Sequence, residues 1–172
     1  MRKRKDDELP SYVAEGMVRN MKADFMKMNN VDRVRYYTPD KVDEYKKLLA
    51  EEGDEYEWKS KEGYICNIRR NHMGAWCGYV FLPKGHKLYG KHYDDVDVEV
   101  HGGLTFSEEA THKKTEQKFW VFGFDTAHAG DFVYGLGNMI PDREIYRNKE
   151  YMINETNYLA EQLYKIYLDQ LD

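Results

Sequence analysis

The apolar pattern of this chain changes period at Tyr56. Before it, apolar residues recur at the spacing of a helix face; from Tyr56 to about Phe124 they alternate or come in short runs; and from Asn148 the helical spacing returns. A chain ordered helix, helix, strands, helix cannot bury its strands as βαβ units. The pattern predicts an α+β fold in which a largely antiparallel sheet packs with N-terminal helices and a long C-terminal helix. Residues 1–10 read as a charged tail and 11–172 as a single domain, with no linker to divide it.

Within that frame the elements are assigned from their punctuation. Ser11 caps a methionine-rich helix marked by Ala14, Met17, Val18, Met21, Phe25 and Met28, which Asn29-Asn30 stops. Its Met stripe reads as a face packed on the domain, or alternatively as an adaptable binding face. Thr38-Pro39-Asp40 opens a second helix through Val42, Tyr45, Leu48 and Leu49, ending before Gly53. Tyr56-Glu57-Trp58 is an edge strand. Tyr64–Arg69 and Ala75–Leu82 form a hairpin about a turn at Arg70–Gly74. A further strand is expected at Val96–Val100, interrupted at His101-Gly102-Gly103 by a bulge or a close backbone approach before Leu104-Thr105-Phe106. Residues 107–117 are polar without an apolar period, and Phe119–Phe122 reads as a central strand. Gly130, Gly135, Gly137 and Pro141 impose a loop. The closing helix spans about Asn148 to Leu171, with Met152, Leu159, Leu163, Ile166 and Tyr167 as its buried stripe, widened by Ile153, Ala160 and Leu171.

Composition narrows the class of function. A net charge of −5 argues against a protein whose main task is to hold nucleic-acid backbone, while fifteen Tyr supply amphipathic rings for a core and for stacking on ligands. Cys66 and Cys77 lie eleven residues apart with no second pair, so two buried free thiols are expected rather than a bridge or a metal knuckle. Neither a secretory signal nor a run long enough to cross a membrane is visible, and the expected setting is the cytoplasm.

Two segments carry the chemistry. Val100–Phe106 and Gly123–Asp131 each set His or Asp beside glycines directly after an apolar run. If the two ends adjoin, His101, Asp125, His128 and Asp131 line one site. Imidazole with carboxylates could hold a divalent metal, could serve as general acid and base without one, or could simply satisfy buried backbone. The metal and any cofactor stay unspecified. Thr105 and Thr126 sit in no nucleophile elbow, and Cys77, in mid-strand, reads as core. A second constellation is basic and aromatic: Arg69, Arg70, Lys84, His86, Lys87 and Lys91 with Trp76, Tyr79, Tyr89 and Tyr93. Guanidinium binds phosphate and rings stack on bases, so a nucleotide fits; a charged hairpin edge is the alternative.

Trp76-Cys77-Gly78-Tyr79-Val80, Pro83-Lys84-Gly85-His86, Leu88-Tyr89-Gly90, Tyr93-Asp94-Asp95, Val100–Thr105 and Gly123–Asp131 resemble, in order, a family of short uncharacterised proteins of bacteriophage and bacterial genomes. The resemblance covers about residues 58–171 and leaves 11–53 outside it. It implies a phage or mobile-element accessory protein acting in an infected cell, and no particular activity.

Together these features lead to an expected function: recognition of a small phosphorylated or nucleotide-like ligand, one used in host defence signalling. Arg69, Arg70 and Lys84 would meet phosphate, and Tyr79 or Tyr93 would stack. His101 and Asp125 would read polar edges, with His86, Gly102, Gly103 and Thr105 completing the pocket. A hydrolase or phosphodiesterase built on His101, Asp125, His128 and Asp131 is the first alternative. An inhibitor that binds a host protein directly is the second, and a homo-oligomer is compatible with each.

Overall fold

The computed structural model describes Asp24, residues 27–137 and residues 142–172. Its helices are α1 (Asn30–Tyr37), α2 (Val42–Glu52) and α3 (Lys149–Asp169). Its strands are β1 (Glu55–Lys59), β2 (Ile65–Arg70), β3 (Trp76–Leu82), β4 (Phe106–Thr111) and β5 (Lys118–Asp125). The strands form one sheet in the order β1-β2-β3-β5-β4, antiparallel throughout. This is the α+β arrangement with a long C-terminal helix that the change of period predicts. The tail and, but for its last residues, the helix expected from Ser11 lie outside the described residues.

Alternation along the strands sorts side chains to the two sides of the sheet. On one side Cys66, Ile68, Trp76, Val80, Leu82, Phe122 and Phe124 pack against Met152, Leu159, Ala160 and Leu163 of α3. The helix comes close because position 78 has no side chain. A Cβ on Gly78 would stand 2.5 Å from Phe124 Cε1 and 2.6 Å from Thr156 Oγ1. On the other side Phe81, Phe119 and Val121 form a separate cluster with Tyr79, Phe106 and Ala110. The sheet curls over this second side. The outer strands of a flat five-stranded sheet would stand roughly 19 Å apart, yet His112 Nε2, one residue beyond β4, lies 3.0 Å from Glu57 Oε2 on β1. Burial alone would raise the Glu57 carboxyl, but His112 and Lys114 outweigh it and hold it below its ordinary value. The two cysteines are free and buried on opposite sides, Cys66 under α3 and Cys77 beside Tyr79.

Lys27 is helical and Met28 and Asn29 are not, so helix stops where the sequence predicts; the Asn29 side chain then accepts from the Asp32 N–H and starts α1, a helix the sequence reading does not predict. Four expectations are corrected. Thr38 does not cap with its side chain. Its hydroxyl is turned to the carbonyl oxygens of Val34 and Tyr134, and Pro39–Lys41 form a 3-10 turn ahead of α2. Val96–Val100 is extended but is not a strand of the sheet. Val96, Val98 and Val100 pack on the core, and the Gln162 side chain of α3 supplies both hydrogen bonds at Glu99 that a neighbouring strand would otherwise make. The polar run after Thr105 contains strand β4, which needs few apolar residues because it is an edge. Leu171, expected in the stripe of α3, is 62% exposed.

Gly78→Ala forces a methyl group into the contact between α3 and the sheet. Urea unfolding of this variant is expected to show a loss of about 1–3 kcal/mol, with the slope unchanged.

Candidate functional site

The two glycine-broken segments meet. β5 ends at Asp125, and Thr126 prolongs its course by bonding the Trp76 carbonyl through both its N–H and its hydroxyl. Alongside, the Thr105 N–H bonds the Gly123 carbonyl, and the Thr105 hydroxyl donates to Asp125 Oδ2 at 3.0 Å. The Ala127 N–H donates to Asp125 Oδ1 at 3.0 Å, so the carboxylate is held from both segments. The chain then turns, with the Asp131 N–H on the His128 carbonyl. Opposite, Val100–Gly103 is a turn rather than a bulge, closed by the Gly103 N–H on the Val100 carbonyl. Gly102, at φ +67°, lies against the His128 ring, where a Cβ would stand 2.3 Å from Nε2.

Here two His–Asp pairs lie side by side, their imidazole centroids 6.0 Å apart. They differ in exposure. The inner pair is His101 Nε2 with Asp131 Oδ2 at 2.8 Å, and its side chains are 13% and 1% exposed. Asp131 also accepts from the His128 N–H at 3.1 Å and from Arg147 Nε at 2.9 Å. Burial alone would raise its carboxyl, but the bonds from His101, Arg147 and the His128 backbone outweigh it and hold the group below its ordinary value of 3.8. An ionised Asp131 can only accept, which puts the proton of His101 on Nε2. In the neutral ring, Nδ1 then accepts from the Tyr151 hydroxyl at 2.8 Å. The outer pair is His128 Nε2 with Asp125 Oδ1 at 3.2 Å, 33% and 26% exposed. Nε2 of His128 is itself buried against Asp125 and makes no hydrogen bond of good geometry. With a third of its side chain exposed, His128 is the imidazole of the two whose remaining edge a ligand can reach, and Asp125 is the carboxylate placed to orient it.

The face continues across the strands. Arg69 of β2 pairs in register with Cys77 of β3, and Cys77 with Asp125 of β5, so these side chains form one cross-strand row. Arg69 is exposed, makes no ion pair among the described residues, and places its guanidinium 5.5 Å from the centre of the Tyr79 ring. That ring lies across Gly123, where a Cβ would stand 2.6 Å from Tyr79 Cδ1. Burial first, and Asp125 second, push the Cys77 thiol up to about 11, so it is protonated at neutral pH and is no nucleophile.

Other candidates lie elsewhere. Arg70 is buried. Its guanidinium stacks 4.1 Å from the centre of the Trp76 ring and bonds the Gly53 and Gly74 carbonyls, Glu52 and the Tyr146 hydroxyl, so four of its five N–H donors are taken and its side chain, with no exposed surface, is out of reach of a phosphate. His86 is buried as well. Nδ1 accepts from the Leu88 N–H and Nε2 lies 3.0 Å from the Leu163 carbonyl, which fixes the neutral Nε2–H form. Tyr93 packs on the core under α3, and its N–H bonds Ser107 Oγ. Lys84 follows the far end of β3, roughly 20 Å from Asp125. Sequence reasoning missed Arg147 and Tyr151. One signal was available: Arg147 directly precedes the cap of α3, where a cation opposes the helix dipole unless an anion faces it.

Among the described residues no group of three or more His, Cys, Asp or Glu side chains is arranged to hold a metal ion. No helix among them is long and apolar enough to cross a membrane. Compared with family models, with curated proteins and with solved structures, the chain finds no match.

Because Asp131 is held below 3.8, its contribution to stability is complete above that pH and is lost as pH falls through the lower, folded value. Asp131→Asn is expected to lower stability at pH 7 by about 3 kcal/mol and to flatten the acid limb of stability against pH, as read by urea unfolding across that range.

Proposed function

We propose that this protein recognises a small phosphorylated, nucleotide-like ligand on the sheet face shared by Arg69, Tyr79, Thr105, Asp125 and His128. The observation that carries this reading is the cross-strand row from Arg69 through Cys77 to Asp125, with His128 at its end. It sets an exposed guanidinium that makes no ion pair among the described residues, a flat ring and a partly exposed imidazole on one surface. Guanidinium suits a phosphate group, and an aromatic face suits a base or sugar. The phage-like motifs extend the reading to a ligand made in an infected cell, met in the host cytoplasm as part of a defence signal.

The outer His–Asp pair favours a second reading, phosphoester hydrolysis. His128, oriented by Asp125, would take a proton from the water that attacks phosphorus. The new P–O bond forms as the ester P–O bond breaks, and the proton passes to the departing oxygen. Arg69 would hold the phosphoryl oxygens in either case.

Thermal shift across a panel of mono-, di- and cyclic nucleotides, followed by phosphorus NMR of the mixtures, separates the two. Recognition predicts a stabilising shift that falls at least tenfold in apparent affinity in Arg69→Ala and in graded fashion in His128→Ala, with the ligand intact. Hydrolysis predicts new phosphorus resonances and loss of turnover by orders of magnitude in a folded His128→Ala. No shift and no turnover with any member of the panel would contradict both.

A further inference from the structure

The site as described has imidazoles and a guanidinium but no nucleophile, and the inner His–Asp pair leads to one. Three groups stand in series there. Asp131 Oδ2 accepts from His101 Nε2 at 2.8 Å, and His101 Nδ1 accepts from the Tyr151 hydroxyl, again at 2.8 Å. A buried carboxylate, an imidazole held in one tautomer and a hydroxyl on its free lone pair is the order in which many hydrolases activate a nucleophile.

Tyr151 stands in the first turn of α3, half-buried, with its own N–H on the side chain of the Asn148 cap. Burial first, then Glu155, raise its phenol above the ordinary value, and Arg147 offsets this only in part. Tyr151 therefore keeps its proton at neutral pH and can attack only if a base removes that proton during the reaction. His101 is in hydrogen-bond contact for the transfer, and the ionised Asp131 stabilises the imidazolium that results. Arg147 supplies the remaining part. Its Nε is on Asp131 at 2.9 Å, and its guanidinium lies 5.1 Å from the centre of the Tyr151 ring. Its two Nη groups make no hydrogen bond among the described residues and its side chain is 23% exposed, so a phosphoryl group beside the phenol has donors to meet.

We propose that Tyr151 is a catalytic nucleophile that attacks the phosphorus of a phosphate ester held by Arg147, with His101 as its base. The Tyr151 oxygen bonds to phosphorus as the ester P–O bond breaks. The phenol proton passes to Nδ1 of His101, and the leaving oxygen takes a proton from solvent. Water then attacks phosphorus and releases a proton to solvent, the bond from Tyr151 to phosphorus breaks, and the Tyr151 oxygen recovers its proton from His101. The choice of a phosphate ester rests on the phosphate reading given above, but the route is covalent and differs from direct attack by water at His128.

The probes are para-nitrophenyl phosphate and the para-nitrophenyl ester of thymidine monophosphate. Nitrophenolate leaves more readily than tyrosinate, so the adduct is expected to accumulate. After the full chain is mixed with each probe and quenched in acid, the intact mass is expected to rise by one phosphoryl or one thymidylyl group. Peptide mapping is expected to place that group on Tyr151 in an acid-stable form, unlike a phosphohistidine. Tyr151→Phe, which keeps the ring, abolishes the adduct and lowers turnover about a hundredfold or more. His101→Gln slows adduct formation by about a hundredfold with Tyr151 in place. Circular dichroism confirms that each variant is folded. Turnover that persists in Tyr151→Phe and is lost in His128→Ala would overturn the proposal and leave direct attack by water standing. Label on another residue would overturn it as well, and neither adduct nor turnover with either probe would overturn both.

Discussion

The Asp131 carboxylate is the point on which the site depends. Three segments far apart in sequence bring a donor to it: the turn at His101, the backbone at His128, and Arg147 just ahead of α3. A buried carboxylate tolerates ionisation only when its lone pairs are occupied, and each of these donors ties a different part of the chain to the same atom pair. Arg147 gains an anion at the helix end where its charge is otherwise disfavoured. The turn at His101, in which Gly102 lies against the His128 ring, is thereby fixed to the end of β5.

Around this hub the protein separates charges that build it from charges it presents. Arg69 and Arg70 are neighbours on β2, and strand alternation sends them to opposite sides. Arg70 goes inward to a sandwich of rings and four oxygen acceptors, while Arg69 goes outward over Tyr79. The same division holds among the histidines. His86 and His112 have both ring nitrogens engaged by the fold, as does His101, whereas His128 keeps Nε2 without a hydrogen bond. The register of three strands sets Arg69 and Asp125 on one face, and Asp125 holds the partly exposed His128 ring beside them.

Much of this was legible in the sequence. The hairpin of β2 and β3, the short edge strand β1 and the start of α3 near Asn148 follow from period and punctuation, whereas β5 runs on through Gly123, where the sequence reading ends it, to Asp125. The two segments were legible as strand ends that break into glycine, but that they meet is shown by the structure alone. What escaped notice was tertiary. Val96–Val100 alternates like a strand because it is extended over a core, yet its backbone partner at Glu99 is a side chain of α3, and no periodicity reveals that. β4 is polar because it is an edge, and its existence depends on pairing with β5. Arg147 and Tyr151 acquire a role only from what lies opposite them.

The claim that one contact joins the two segments is tested most directly by a double-mutant cycle on His101 and Asp131. Unfolding free energies would be measured for the parent, His101→Ala, Asp131→Ala and the double variant. The account predicts a coupling of about 1–3 kcal/mol between the two positions. Effects that add to within about 0.5 kcal/mol would show that each residue stabilises the fold independently and would contradict it.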